Sequence, residues 1–222
     1  AANVRDGRLV HPPAARVRGI SAVQVSPNSS LGLKQGLLAC DDAEFEELWA
    51  AMPPAPMNRW GAMILRHQGT YGRPYEFGQE NPYLGPIDEA PAVVQKAVAL
   101  ARTEAVALGI DPEKATVAHT NWYEIRPKHV AALGFHQDKD PTANGLPVMS
   151  FTLLSGGAPY RYFVVADDVP GKANRLAVPL AHGDFLCMMG RFQKEKYHGV
   201  PPVTRKDHIG QRRINITVRF WG

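Results

Sequence analysis

The chain has 222 residues, 45% hydrophobic and 21% charged, the composition of an ordinary globular protein able to bury one sizeable core. Its 25 Lys and Arg against 21 Asp and Glu leave a formal charge of +4, too small an excess to specify a polyanionic partner. No apolar run reaches the roughly 18 to 20 residues of a spanning helix, the start Ala1-Ala2-Asn3-Val4-Arg5 lacks a secretory pattern, and Cys40 and Cys187 are too few for a disulfide framework. These features predict a single-domain, soluble, intracellular protein, cytoplasmic or nuclear, that acts as a monomer away from membranes.

In chain order, residues 1–30 are rich in Pro, Ser, Asn and Arg with little periodicity, and predict an extended N-terminal arm wrapping the domain of residues 31–222. Asp41-Asp42-Ala43-Glu44 ahead of Phe45, Leu48 and Trp49 predicts a capped short helix stopped by Pro53-Pro54. Pro91 opens a second helix, where Val94, Val98, Ala101, Ala105 and Leu108 recur at helical spacing before Gly109. Between them, residues 57–86 fit neither period and hold Trp60, Tyr71, Tyr75, Phe77 and Tyr83 among glycines, prolines and arginines. From Ala115 onward come short β-type runs: Val148 to Leu154, Tyr160 to Val165, Phe185 to Met189 and Ile214 to Phe220, punctuated by turns such as Ser155-Gly156-Gly157. Helices followed by many short strands imply an α+β chain whose C-terminal part, about 115–222, is a sandwich or jelly roll with the helices outside it.

The chemistry concentrates at three places. Phe135-His136-Gln137-Asp138 sets an imidazole and a carboxylate two residues apart, on one face of an extended chain. Tyr197-His198-Gly199 supplies a second imidazole that a jelly roll can bring alongside. Two histidines and a carboxylate are the ligand set of non-haem Fe(II) oxygenases, which leave positions open for a chelating 2-oxo acid and O2. In the last run, alternation puts Arg213, Asn215, Thr217 and Arg219 on one face, and the fixed fork of an arginine matches the carboxylates of 2-oxoglutarate. A lone His-x-Asp pair is common at turns, and alternating polar residues usually mark a solvated face. The order and spacing of the three together favour one metal and co-substrate site.

Asn121-Trp122-Tyr123, His136-Gln137-Asp138-Lys139-Asp140, His182-Gly183-Asp184, Tyr197-His198-Gly199 and Arg213-x-Asn215-x-Thr217-x-Arg219 follow one another over about Arg66 to Phe220. In this the chain resembles the AlkB family of nucleic-acid dealkylating oxygenases. The resemblance implies a double-stranded β-helix (jelly-roll) core with flanking N-terminal helices. It further implies iron held by His136, Asp138 and His198, with Arg219 completing the catalytic set. Asn121, Tyr123 and Arg213 would then lie near the distal carboxylate of 2-oxoglutarate, and Asn215 and Arg219 near its chelating end. It makes residues 57–86 a nucleotide-recognition lid, with Tyr71, Tyr75, Phe77 and Asp140 as substrate contacts, because a base must leave its stack to reach a buried metal. The implied reaction uses Fe(II), 2-oxoglutarate and O2 to demethylate N-alkylated bases of DNA or RNA, with Arg59, Arg73, Lys194, Lys196, Arg205 and Lys206 as candidate phosphate contacts. A protein side chain, lipid or small molecule as substrate, or a catalytically silent nucleic-acid-binding domain, are the rival expectations.

Overall fold

The computed structural model describes residues 2–5, 8–10, 15–17, 20–55, 66–74, 81–126, 129–138, 145–156, 161–169, 174–202 and 209–221. Strands β1 (Ala2–Arg5), β2 (Arg8–Val10), β3 (Ala15–Val17), β4 (Ile20–Ser26) and β5 (Ser29–Lys34) precede helix α1 (Asp42–Ala50). After β6 (His67–Gly72), β7 (Tyr83–Gly85) and helix α2 (Ala92–Ala107) the chain is mostly strand. It runs through β8 (Ala115–Arg126), β9 (His129–Val130), β10 (Leu133–His136), β11 (Val148–Leu154), β12 (Arg161–Ala166), β13 (Leu176–Leu180) and β14 (Asp184–Gly190). A short helix α3 (Phe192–Glu195) leads to β15 (Tyr197–Val200) and β16 (Arg212–Phe220).

Two sheets face each other. The larger runs β3-β4-β5-β14-β11-β16-β8-β6-β7, with β9 attached to β8, and the smaller runs β10-β15-β12-β13-β1-β2. Leu31, Val148, Leu186 and Met188 of the larger sheet pack against Phe163, Val165, Leu176, Val178 and Leu180 of the smaller, closing one end of the jelly roll. On its outer face the larger sheet buries Trp122, Phe151, Phe185, Ile214, Ile216, Val218 and Phe220 beneath α1 and α2. This is the helix-covered jelly roll that the order of elements implied. Among the described residues no helix is long and apolar enough to cross a membrane.

Both helices form for the reasons legible in the sequence. The Asp41 carboxylate accepts from the Glu44 backbone N–H at 2.9 Å, and the Glu44 carboxylate accepts from the Asp41 N–H at 3.3 Å, a reciprocal capping box. In α2, Val94, Val98, Ala101 and Ala105 are fully buried as their spacing predicts, and Gly109 adopts a φ of 75°, ending the helix. Trp122 is anchored to the helix layer: its indole N–H donates to the Leu48 carbonyl at 2.9 Å.

The expected N-terminal arm is in large part sheet. β4 and β5 form an antiparallel hairpin that adds to β14, pairing Leu31 with Met188, so residue 30 lies inside a strand and marks no boundary. Backbone hydrogen bonds to a strand more than 150 residues away hold this segment, and no local periodicity announces them. β1 likewise joins the edge of the smaller sheet at β13.

Candidate active site

β16 decides the geometry of the site because it lies inside the larger sheet, between β11 and β8. Its apolar residues enter the helix-side core, so Arg213, Asn215, Thr217 and Arg219 must point into the space between the sheets. All four are buried there, where an isolated amphipathic strand would have left them solvated. Register builds a polar wall around them. Tyr123 pairs with Arg213, Asn121 with Asn215 and His119 with Thr217 on β8, while Thr152 and Ser150 of β11 flank Asn215 and Thr217 on the other side. On β6, Gln68 stands opposite Asn121 and Thr70 opposite His119, extending the same rows.

The opposite wall carries the histidines. β10 and β15 are antiparallel, with His136 and His198 as Cα partners and their rings 4.3 Å apart. Three residues of β10 span the distance of two on β15 between the Leu133–Val200 and His136–His198 pairs, a bulge of one residue. It turns both Phe135 and His136 toward a cavity of about 420 Å³ that lies between the two walls. Asp138 falls just past the end of β10 rather than within it, and its backbone N–H donates to the Gln193 side-chain oxygen at 3.0 Å. One ligand atom from each of His136, Asp138 and His198 lies within 4.8 Å of the other two, and among the described residues this is the cluster able to hold a metal ion.

The protonation states suit a divalent cation. The His136 Nδ1 lies 2.9 Å from the Gly134 carbonyl, to which it donates, so the ring is held with Nε2 toward the other two ligand candidates, 3.4 Å from Asp138 Oδ1. Burial pushes the His198 imidazole down to about 3, against the pull of Asp138, so it is neutral near pH 7 and free to donate electrons. Burial alone would raise the Asp138 carboxyl, but the Arg219 guanidinium at 3.0 Å and the two imidazoles hold it well below the usual range. Two imidazole nitrogens and one carboxylate would leave several positions of an iron ion open.

Behind the cavity wall formed by Tyr123 lies a buried cation, Arg213. Arg213 donates through Nη2 to Asn215 Oδ1 at 2.6 Å and Thr152 Oγ1 at 3.2 Å, while its Nε and Nη1 are buried with no hydrogen bond. The Asn121 side-chain oxygen is buried and unbonded as well. Asn215 is fixed by its neighbours, accepting from Ser150 and donating to Thr217 Oγ1 at 2.8 Å.

Of the residues singled out in the sequence, Asn121, Tyr123, His136, Asp138, His198, Asn215 and Arg219 line this one cavity, and Arg213 lies behind Tyr123. Tyr71 departs from expectation. It is 4% exposed and packs in the helix-side core, because strand alternation turns it away from Gln68 and Thr70. Tyr75, Phe77 and Asp140 lie outside the described residues, as do Arg59, Arg205 and Lys206. Lys196 is paired with Asp167, and Arg73 stacks over the Trp221 ring. Sequence reasoning did not single out His119, Ser150, Phe135 or Gln193. His119 was within reach, since it shares the alternation of Asn121 and Tyr123, whereas Gln193 became visible only through its contact with Asp138.

Comparison with known proteins agrees with this geometry. The family model described as the 2OG-Fe(II) oxygenase superfamily matches residues 54–219. The alpha-ketoglutarate-dependent dioxygenase alkB homolog 3 of Rattus norvegicus is 33% identical over 95 residues, covering 40% of this chain and 30% of that protein. The Mus musculus counterpart is also 33% identical over 95 residues, with 31% of its length covered. The match thus spans about a third of these relatives. In fold, the chain is similar to the solved structure of OsALKBH1, with a TM-score of 0.55 and 22% identity over 89% of this chain and 100% of that one. It is also similar to a Pseudomonas putida prolyl-4-hydroxylase, with a TM-score of 0.50 and 14% identity over 86% and 91%.

Proposed function

This chain belongs to the 2OG-Fe(II) oxygenase superfamily, and on that footing we propose that it is a dioxygenase that removes N-alkyl groups from bases of DNA or RNA. The observation that carries the substrate class is the 33% identity to alkB homolog 3, which falls in with the AlkB-type order of motifs from Asn121 to Arg219. The fold is shared with a prolyl hydroxylase and does not itself choose between a base and a side chain.

When bound, iron with 2-oxoglutarate and O2 supplies the oxidation of an N-methyl C–H bond, yielding succinate, CO2 and a hydroxymethyl product that sheds formaldehyde. The chain's own residues prepare that chemistry. His136, Asp138 and His198 would hold the metal, with Gly134 and Gln193 orienting two of them. Arg213, Asn121 and Tyr123 would receive the far carboxylate of the co-substrate, and Asn215 and Arg219 would serve its other end. The ring of His136 and the side chain of Phe135 stand on the cavity wall as flat faces for an extruded base.

The test is formaldehyde release from N-methylated oligonucleotides, DNA and RNA side by side, with Asp138→Ala as the control. Formaldehyde from either polymer, absent with the variant, supports the proposal. Succinate formed with iron and 2-oxoglutarate, but no formaldehyde from any methylated base, overturns the substrate while leaving the oxygenase.

A further inference from the structure

Arg161, at the start of β12, belongs to none of the sequence motifs and does not line the cavity. It is nevertheless 2% exposed, as deeply buried as Arg213. The two guanidiniums share one neighbour: Arg213 Cζ lies 4.8 Å and Arg161 Cζ 5.9 Å from the centre of the Tyr123 ring. Among the described residues neither is paired with a carboxylate. Arg161 spends its Nη2 on the carbonyls of Ala131, at 3.1 Å, and Pro201, within 3.5 Å, and its Nε is buried without a partner. Burial, with the charge of Arg213 next, lowers the pKa of Arg161 to about 10, so it stays protonated near pH 7. Two buried cations about one aromatic ring, with no carboxylate partner among the described residues, are costly to keep unless a ligand supplies the missing charge.

We infer that Arg161 is a second cation of the co-substrate site, a positioning residue that acts with Arg213 to select an acid carrying a carboxylate at its far end. The inference rests on the proposed 2-oxoglutarate site. Two features of the fold fit it. Tyr123, the shared neighbour, lines the cavity beside Asn121. The carbonyls that Arg161 holds lie two residues before β10 and directly after β15, the strands bearing His136 and His198, so the same guanidinium braces the wall that carries the histidines.

The test measures binding, under anaerobic conditions and with Mn(II) in place of iron, of 2-oxoglutarate and of 2-oxopentanoate, which ends in a methyl group where 2-oxoglutarate ends in a carboxylate. Calorimetry gives the ratio of the two affinities. Arg161→Gln is expected to lower that ratio about tenfold, and Arg161→Lys, which keeps the charge, to retain most of it. Arg161→Met, whose apolar side chain suits the buried position, is the second charge-removing variant and must show the same fall. A purely structural residue would weaken both acids alike, so an unchanged ratio in folded Arg161→Gln or Arg161→Met overturns the inference. If Arg213→Gln lowers the ratio and those variants do not, the inference fails alone. If the unmodified protein binds neither acid, the co-substrate reading fails and this inference with it.

Discussion

Arg219 Nη2 lies 3.0 Å from Asp138 Oδ2, joining the last strand of the larger sheet to the metal wall of the smaller one through a buried ion pair. The carboxylate is counter-charge to an arginine that is 5% exposed, and in the proposed site it is a metal ligand as well. Asp138→Ala is expected to abolish 2-oxoglutarate-dependent succinate formation. It should also lower the stability of the ligand-free protein by about 3 kcal/mol, since Arg219 loses its counter-charge in a buried setting. Succinate assays and urea melts measure the two effects separately, and substantial retained turnover would remove Asp138 from the ligand set.

Gln193 aims the same carboxylate indirectly, accepting from the Asp138 N–H while its amide nitrogen contacts the Met188 sulfur at 3.3 Å. Replacing it by leucine leaves the three ligands in place but frees the backbone that points one of them. Gln193→Leu should weaken Mn(II) binding about tenfold, the usual cost of losing an outer partner. Titration followed by electron paramagnetic resonance is the check, and unchanged affinity would make Gln193 a packing residue.

Two glycines on the metal wall make a controlled pair. A Cβ at Gly199 would sit 2.8 Å from the Leu133 carbonyl oxygen and 3.2 Å from the Gly134 backbone, whereas one at Gly134 would meet nothing within 4 Å. Gly199→Ala must therefore push β10 away from β15, and with it His136 away from His198. We expect a stability loss of about 1–3 kcal/mol and weakened metal binding, with Gly134→Ala close to the unmodified protein in both. Equal behaviour of the two variants in melts and metal titration would contradict the close approach of these strands.

His119 is buried beside the cavity, and burial first, then the charges of Arg219 and Arg66, push its pKa down to about 3 from an ordinary 6.5. Between those values the unfolded chain binds a proton that the folded chain refuses. Stability therefore falls as pH drops from about 6.5 toward 3, by up to about 1.4 kcal/mol per pH unit for each such histidine. His119→Gln should remove one histidine's share of that slope, with little change in pH dependence above pH 7. Urea melts at pH 7, 6, 5 and 4.5 measure it, and parallel slopes for the two proteins would show that His119 takes up its proton as easily folded as unfolded.

Much of the site was legible because its parts are local. His136 and Asp138 are two residues apart, the alternation of Arg213 to Arg219 needs only strand geometry, and the capping box at Asp41 and Glu44 is a four-residue pattern. Tyr71 was misplaced for the converse reason. An aromatic among loop-like residues gives no sign of which side of a strand it will occupy, and pairing with β8 turned it into the helix-side core. The β4–β5 hairpin depends on β14, far along the chain, for its hydrogen bonds.

By itself the sequence determined which side chains could bind a metal and a dicarboxylate, because ligand chemistry and strand alternation belong to residues and their immediate neighbours. Tertiary structure alone decided that most of those residues line one cavity with Arg213 behind Tyr123, that both faces of β16 are buried, and that Arg161 comes to lie by the same Tyr123 ring. Sheet register and burial are set by pairing between distant strands. They turn polar residues of ordinary composition into charges that water cannot screen, which the site must balance with a metal and an anion.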